Sequence, residues 1–462
     1  MNTLRVSVFT APGSAADLSD RVAAALERRA DLLRAGVAVR CYQAPDMLLG
    51  RHLVMAELTV RGWRPIEAAV CGGDAAAVVE RFTGELVERI ALCAYDPPRA
   101  AEKVSENELR AVGGLDVFDV RSYLGEPLDP AAWPFPRYDP DAPVDWTLAD
   151  DLVTGRPVYL PVALCTARPG RSPGVPQWCE PTTDGTAAGR GRAVATAHAV
   201  RELYERDALR LAWFTGSPLR PAREPAWWRG DRAADEAAGW RTEFFTGATR
   251  LGVPLWVALT RHRRSPLYAI GSACDEDSED GLRHALEEAL RGRMYPWLRR
   301  GARFRHVQPV RAFGDHGDYY SDPERIGELD VLFPRRMTQA VPAAGGASVP
   351  GQGLRRGPVP GNGRPARPDE GAHVPDLPVE GLGGAVRLRL LRGRDLEVVR
   401  ILHPRLQPVE SAHAAARLVG WARTSAARRA GLRAAPAPFA EPPAPAGLAG
   451  PERGPRGRRG QV

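Results

Sequence analysis

The sequence predicts an α/β protein with mixed sheets and a small N-terminal α/β unit. Three observations lead to this prediction. A strand, a helix and a second strand follow one another within residues 1–70. Helical periodicity returns around residues 75–95 and 190–215, and short runs rich in β-branched residues lie between and after these helices. Strands and helices therefore alternate along much of the chain.

Each element is predicted from a local pattern. In the N-terminal unit, residues 1–70, LRVSVFT and VAVRCY are typical of strands, and residues 15–33 between them have helical spacing. Further along, a helix is predicted for residues 280–300. Strands are predicted at VYLPVALC, VPLWVALT and PLYAIGSA.

The character of the sequence changes between Ala340 and Pro378. This stretch is rich in Pro, Gly and Arg and has no apolar period, so it cannot bury enough apolar surface to offset its ordering entropy. We expect residues 338–382 to form a low-complexity linker, either a natural insertion or a frame-disrupted segment. Order is expected to return with the strands VRLRLL and LEVVRILHP and a helix from Ser411 to Arg429.

Composition limits the functional classes. The net charge is +7, and Lys103 is the one lysine among 63 basic residues, which is typical of a GC-rich genome that favours Arg codons. The charge is therefore weak evidence for nucleic-acid binding. The six cysteines lack a Cys-x-x-Cys pair, and the sequence shows neither a signal peptide nor a run of eighteen apolar residues. We expect a cytoplasmic protein with no membrane partner.

Two helical stretches end in the pattern Glu-x-x-Glu-Arg, in GELVERIA and in VRELYERDA. Two carboxylates three residues apart share a helix face, where their repulsion is relieved by a cation between them. Mg²⁺ prefers such oxygen ligands. A single copy is more typical of a solvated helix face. The second copy, however, follows the Gly-rich turn TTDGTAAG, whose backbone N–H groups are suited to phosphate binding.

The run DGTAAGRGRAVATAHAVRELYERDALRLAW resembles the signature segment of the YcaO superfamily, ATP-dependent enzymes that modify peptide backbones in azoline-containing and thioamide peptides. GGDAAAVVERFTGELVER resembles an earlier motif of that family, and GLRHALEEALRGR is similar to its third helix. The resemblance covers roughly residues 70 to 310 and implies a YcaO-like fold. It divides the chain into an ATP-binding core at 71–337, a C-terminal part of the same domain at 383–432, and a basic Pro-rich tail at 433–462.

The resemblance also implies cofactors and site residues. ATP and Mg²⁺ are the expected cofactors, and the implied metal ligands are Glu85, Glu88, Glu202 and Glu205. The implied nucleotide-binding residues are Arg206, near the phosphates, and Glu288 of the third motif; Arg190, which departs from the family pattern, is added as a candidate phosphate donor. In the tail, Pro436 and Pro438 match the Pro-rich end that reaches toward the active site in azoline-forming members. A disordered tail is the alternative.

The chain departs from the family pattern at five positions. Asp74 replaces a Lys of the first Gly-rich turn, Arg81 replaces a Ser, and Arg190 replaces an Asn. Val194 stands where a metal-binding Glu is usual, and Arg291 stands where Gln or an acid is typical. Arg190 and Arg291 are therefore considered as substitute phosphate donors.

Three functions follow as hypotheses. The first is ATP- and Mg²⁺-dependent cyclodehydration of Cys, Ser or Thr residues to azolines in a ribosomal precursor peptide. The second is a catalytically degenerate YcaO-like scaffold that binds the precursor or a partner protein. The third, a nucleic-acid-binding module, rests on charge alone. The expected partners are a precursor (leader) peptide and a leader-binding protein, with a homodimer left open and no nucleic acid.

Overall fold

The structure is a computed structural model that describes residues 5–8, 15–27, 37–43, 48–58, 66–96, 98–127, 129–166, 176–298, 319–320, 322–334, 381–393, 395–408 and 417–418. Within these ranges the helices are α1 (Ala15–Glu27), α2 (Ala75–Ala94), α3 (Glu106–Val112), α4 (Val120–Leu124), α5 (Arg192–Thr215), α6 (Trp228–Ala237) and α7 (Ser278–Leu298). Short 3-10 turns span Val162–Leu164 and Ile326–Val331.

Most strands belong to three sheets. In chain order the strands are β1 (Arg5–Val8), β2 (Val37–Gln43), β3 (His52–Leu58), β4 (Ile66–Gly72), β5 (Ala101–Val104), β6 (Asp116–Val117), β7 (Glu126–Pro127), β8 (Val144–Asp151), β9 (Pro157–Pro161), β10 (Thr186–Gly189), β11 (Arg220–Pro221), β12 (Trp240–Ala248), β13 (Pro254–His262), β14 (Tyr268–Cys274), β15 (Val386–Arg392), β16 (Glu397–Leu402) and β17 (Arg417–Leu418). The mixed α/β class predicted from the sequence is confirmed.

The N-terminal sheet has the order β1-β2-β3-β4. β1 and β2 pair in parallel and α1 lies between them in the chain, as expected for the predicted strand–helix–strand unit. β2, β3 and β4 pair antiparallel with their neighbours. α1 ends at Glu27 within the predicted helix of residues 15–33. Val22 of α1, Val54 of β3 and Phe82 of α2 share one apolar core, so α2 packs on this sheet although it follows residue 70. The proposed domain boundaries stay predictions.

The central sheet is built from distant parts of the chain. Its order is β10-β16-β15-β8-β9-β6, and β5 pairs with β8. The predicted strands VRLRLL and LEVVRILHP form β15 and β16 in the middle of this sheet. The predicted strand VYLPVALC forms β9 only to Pro161, and the chain then turns through the 3-10 residues Val162–Leu164. α5 packs on β10 and β16.

The third sheet, β11-β12-β13-β14, is antiparallel and carries α7 on one face. It contains the predicted strands VPLWVALT and PLYAIGSA. α7 approaches β14 so closely that a Cβ on Gly271 would lie 2.1 Å from the carbonyl oxygen of Ala285. Glycine at this position therefore lets helix and strand meet.

The C-terminal segment is tied to α5 by buried polar contacts. The hydroxyl of Tyr204 donates to the carbonyl of Gly381 at 2.6 Å, and Nε2 of His403 lies 3.0 Å from the same oxygen. Asp207 accepts from the backbone N–H of Gln407 at 2.8 Å and pairs with Arg250 at 2.7 Å. These bonds hold residues on both sides of the β15–β16 pair, Gly381 before it and Gln407 after it, against the helix.

One predicted element is wrong where the structure describes it. The helix predicted from Ser411 to Arg429 includes Arg417–Leu418, which form β17 and pair antiparallel with Glu126–Pro127. The backbone groups of these two residues are held by the neighbouring strand, so local helical spacing does not decide their conformation. The rest of that helix, the segment 340–378 and the tail lie outside the described residues. None of the helices within the described ranges is long and apolar enough to cross a bilayer.

Candidate functional site

Helices from three parts of the chain meet at one set of charged side chains. α2 contributes Glu85, α5 contributes Glu202, Glu205 and Arg206, and α7 contributes Glu288 and Arg291. We call these six residues the glutamate–arginine cluster. Direct contacts connect all six, although more than two hundred residues separate the ends of the set.

On α2, Glu85 faces the edge strand β4. Its Oε1 accepts a hydrogen bond from the backbone N–H of Ala69 at 3.4 Å and lies 3.7 Å from the guanidinium of Arg89. The same oxygen is 3.9 Å from Nη1 of Arg291. Asp74 caps the start of α2, because its carboxylate accepts the backbone N–H of Ala77 at 2.7 Å. The cap fixes where the helix begins.

On α5, both glutamates of the Glu-x-x-Glu-Arg pattern face the protein. Glu202 accepts a hydrogen bond from the backbone N–H of Gly185 at 3.0 Å, and Glu205 accepts one from the hydroxyl of Ser272 at 2.5 Å. Gly185 has a φ of +71°, and a Cβ there would lie 2.5 Å from the carbonyl oxygen of Ile401. The Gly-rich turn before α5 is therefore needed for close backbone packing.

Arg206 is the centre of the cluster. Its Nη1 donates to Glu205 at 3.0 Å, and its Nη2 lies 3.8 Å from Glu202 and 3.9 Å from Glu288. The side chain is largely buried, at 16% exposure. A single guanidinium therefore neutralises carboxylates from two helices in a region of reduced dielectric, where such pairs interact strongly.

Glu288 and Arg291 complete the cluster from α7. Glu288 accepts the backbone N–H of Ser272 at 2.6 Å and a guanidinium N–H of Arg291 at 3.0 Å. Arg291 also donates to the carbonyl of Ala69 at 2.8 Å. Ser272 thus contacts Glu205 through its hydroxyl and Glu288 through its backbone. Sequence reasoning missed Ser272, for which the available signal was a Gly-Ser pair inside an apolar strand.

Of the remaining departures from the family pattern, Arg81 and Arg190 have polar partners in the structure. Arg81 donates to Glu287 at 2.8 Å and to the carbonyl of Cys71 at 3.0 Å, next to the cluster but without a described contact to it. Arg190 donates to Glu80 at 3.0 Å on the exposed surface, and its described contacts do not reach the cluster. Val194 lies in the first turn of α5 with 43% of its surface exposed.

Of the residues predicted for the site, the structure brings together Glu85, Glu202, Glu205, Arg206 and Glu288. Glu88, half-buried, lies one turn beyond Glu85 on α2. Arg190 is not brought to the cluster, and Pro436 and Pro438 lie outside the described residues. Their roles stay predictions.

The buried thiols near the cluster are poor nucleophiles. Burial raises the pKa of Cys71 on β4 and that of Cys274 on β14 to about 12, so both are protonated at neutral pH. The described thiols at positions 71, 93, 165, 179 and 274 are buried and none forms a disulfide. Covalent chemistry on these sulfurs is therefore not favoured.

The donor types in the cluster fit a magnesium nucleotide. Carboxylate oxygens suit a hard divalent cation, and guanidinium groups suit phosphate oxygens. In the parts of the chain that the structure describes, however, no three His, Cys, Asp or Glu side chains form a metal-binding group. Arginines lie between the carboxylates instead, as the contacts of Arg206 and Arg291 show. The donor chemistry fits, whereas the glutamates are paired mainly with cations of the protein.

Comparison with known families agrees with this arrangement. A family model described as YcaO cyclodehydratase, ATP- and Mg²⁺-binding, matches residues 75–347, which is more than half of the chain. The chain belongs to the YcaO family. The match contains the whole glutamate–arginine cluster, and the family is one that binds ATP and Mg²⁺ and includes enzymes that form azolines.

Solved YcaO structures share the fold. YcaO from Methanopyrus kandleri bound with AMPPCP and Mg²⁺ is 18% identical with a TM-score of 0.53, over 84% of this chain and 91% of that one. A heterocyclase in complex with substrate and cofactor is 16% identical with a TM-score of 0.63, over 90% of this chain and 57% of that one. The E. coli microcin synthetase McbBCD complex gives 13% identity and a TM-score of 0.54, over 87% and 96%. No curated protein sequence matches significantly.

Proposed function

We propose that this YcaO protein uses ATP and Mg²⁺ to cyclodehydrate Cys, Ser or Thr residues of a ribosomal precursor peptide to azolines. The observation that carries the proposal is the glutamate–arginine cluster, in which the three family motifs meet through direct contacts. Two of the similar structures support a peptide substrate and a protein partner. One is a heterocyclase in complex with substrate and cofactor, and the other is the McbBCD complex with pro-MccB17 bound.

In this reaction the thiol or hydroxyl of the substrate residue adds to the carbonyl carbon of the preceding residue. A new C–S or C–O bond forms, the carbonyl oxygen takes the negative charge, and the nucleophile loses its proton. ATP, when bound, would supply the phosphoryl group that makes this oxygen a leaving group, as the bond to its γ-phosphorus breaks and ADP is released. Loss of the amide proton then forms the C=N bond as the C–O bond breaks and phosphate departs.

The residues of the chain would position and neutralise charge. Glu85, Glu88, Glu202 and Glu205 are the proposed ligands of Mg²⁺, and Arg206 is the proposed contact of the phosphates. Phosphoryl transfer depends mainly on such positioning and on charge stabilisation, and it requires no nucleophile from the protein. Pro436 and Pro438 are proposed to lie near the reacting amide, where the fixed φ of proline lowers the entropy cost of ordering the tail.

A second function is favoured by the pairing of the cluster with arginines and by Val194. A scaffold of this family that binds the precursor peptide or a partner without ATP turnover would retain the same fold. The two functions differ in nucleotide binding. ATP with Mg²⁺ should stabilise an active protein by about 2.7 kcal/mol at a hundred times the dissociation constant.

The proposal is tested with a Cys-, Ser- and Thr-rich precursor peptide, ATP and Mg²⁺. We expect the peptide to lose the mass of water for each ring formed, with phosphate release that requires both peptide and ATP. Glu205→Ala should abolish both signals, whereas Glu80→Ala, on the exposed face of the same α2 that carries Glu85, should preserve them. Peptide binding without water loss or ATP-dependent stabilisation would favour the scaffold.

A further inference from the structure

Ser272 of β14 contacts one glutamate from each of two helices. Its hydroxyl donates to Oε1 of Glu205 on α5 at 2.5 Å, and its backbone N–H donates to Oε2 of Glu288 on α7 at 2.6 Å. The residue is buried, with 9% of its surface exposed. The side chain and the backbone of one residue therefore orient two glutamates that come from different family motifs.

The neighbouring Gly271 explains how both helices reach the same strand. Successive side chains of a strand point to opposite faces. A Cβ on Gly271 would lie 2.1 Å from the carbonyl oxygen of Ala285 and 2.8 Å from Cβ of Glu288, so α7 occupies that face of β14. The side chain of Ser272 points to the other face, where Glu205 accepts its hydrogen bond.

The backbone bond to Glu288 lies at the edge of the third sheet. β14 is the terminal strand in the order β11-β12-β13-β14 of the described residues. A buried N–H group at such an edge is costly unless it finds an acceptor, and the carboxylate of Glu288 accepts the N–H of Ser272. A substitution of the side chain at position 272 leaves this backbone donor in place, so it removes the contact with Glu205 alone.

The hydroxyl of Ser272 differs in charge from the other donor to Glu205. Oε1 of Glu205 also accepts a hydrogen bond from Nη1 of Arg206 at 3.0 Å, and this nitrogen lies 3.5 Å from the hydroxyl oxygen of Ser272. A guanidinium beside the carboxylate repels a divalent cation, whereas a neutral hydroxyl does not. Ser272 therefore orients Glu205 without adding positive charge to the site.

We propose that Ser272 is a positioning residue of the nucleotide site, and that its hydroxyl holds Glu205 in the orientation that a magnesium nucleotide requires. The inference rests on the proposed function, because it takes Glu205 as a ligand of Mg²⁺. A hydrogen bond to a charged group changes an equilibrium constant by roughly tenfold or more. Loss of the hydroxyl should therefore weaken the binding of Mg-AMPPCP by about tenfold.

The test measures the Kd of Mg-AMPPCP by isothermal titration calorimetry and the midpoint of urea unfolding. Ser272→Ala should raise the Kd about tenfold, and Ser272→Thr, which keeps a hydroxyl, should stay within about threefold of the wild type. Thr246→Val is the matched control, because the hydroxyl of Thr246 on β12 of the same sheet donates to the carbonyl of Leu255 at 3.0 Å. It should lower the urea midpoint about as much as Ser272→Ala does and leave the Kd unchanged.

Three results would overturn the inference: an unchanged Kd in Ser272→Ala, an equal rise of the Kd in Thr246→Val, or a rise in Ser272→Thr as large as in Ser272→Ala. In each case the wild type binds Mg-AMPPCP, so the proposed function is unaffected. If Ser272→Ala does not fold, Ser272→Cys provides the same comparison, because a thiol is a weak donor. A wild-type protein that does not bind Mg-AMPPCP would defeat the proposed function and the inference with it.

Discussion

We expect the stability of this protein to fall as the pH drops below about 6.5, because of His403. The ring is buried after β16, where Nε2 lies 3.0 Å from the carbonyl of Gly381 and Nδ1 accepts the backbone N–H of Arg405 at 3.1 Å. Both nitrogens are used by the neutral ring. Burial, with little offset from these bonds, lowers the pKa of His403 from 6.5 to about 4.

The direction of this pH dependence follows from the number of protons that the folded and unfolded states bind at His403. Between pH 6.5 and about 4 the unfolded chain binds a proton at His403 that the folded protein does not, so stability rises with pH across this window. From neutral pH to pH 5, this one group should remove roughly 2 kcal/mol of the free energy of unfolding. Below pH 4 the loss should level off at about 3 kcal/mol.

The assay is urea unfolding of the wild type and of His403→Gln at neutral pH and at pH 5. Gln cannot titrate, so the variant should show a smaller loss of stability on acidification, by roughly 2 kcal/mol. His284→Gln, which replaces an exposed histidine of α7, is the control and should retain the wild-type dependence. Equal losses in the wild type and in His403→Gln would refute the reasoning.

Three further predictions concern single side chains. Asp235→Ala should lower the free energy of unfolding, measured in urea, by about 3–5 kcal/mol. The reason is that Arg293, which is fully buried 2.7 Å from Asp235, loses its carboxylate partner. A loss below about 1 kcal/mol would contradict this. Asp74→Ala should cost about 1 kcal/mol through the lost cap of α2, and an unchanged midpoint would contradict it. Val194→Glu should tighten Mg-ATP binding in calorimetry, and unchanged or weaker affinity would oppose a metal role at this position.

Much of the fold is encoded in local patterns. The strands VPLWVALT and PLYAIGSA and the helices α2, α5 and α7 were predictable because period-2 and period-3.6 apolar spacing persists over their lengths. The short strand β17 was not, because Arg417–Leu418 are held by Glu126–Pro127, almost three hundred residues earlier. Pairing over that separation leaves no local signal in a single sequence.

The sequence indicated the glutamates of the site but not the side chains that contact them. The repeated Glu-x-x-Glu-Arg pattern pointed to these carboxylates, and in the structure Glu85 and Glu202 belong to one set of charged contacts, connected through Arg206, Glu288 and Arg291. The pattern does not tell which cation lies between them, and in the structure the cations with described contacts are guanidinium groups. The replacement of a family Lys by Asp74 likewise did not reveal that its carboxylate accepts a hydrogen bond from the backbone N–H of Ala77 at the start of α2.

The central position of β15 and β16 has a consequence for biosynthesis. These late strands separate β10 from β8 in the sheet, and the N–H of Ile401 in β16 bonds the carbonyl of Gly185, whose own N–H holds Glu202. A nascent chain that has passed α7 therefore carries every glutamate of the site but exposes two unpaired strand edges. This arrangement of the site can form only after residue 402 has left the ribosome, so prematurely terminated chains should lack it and be prone to aggregation.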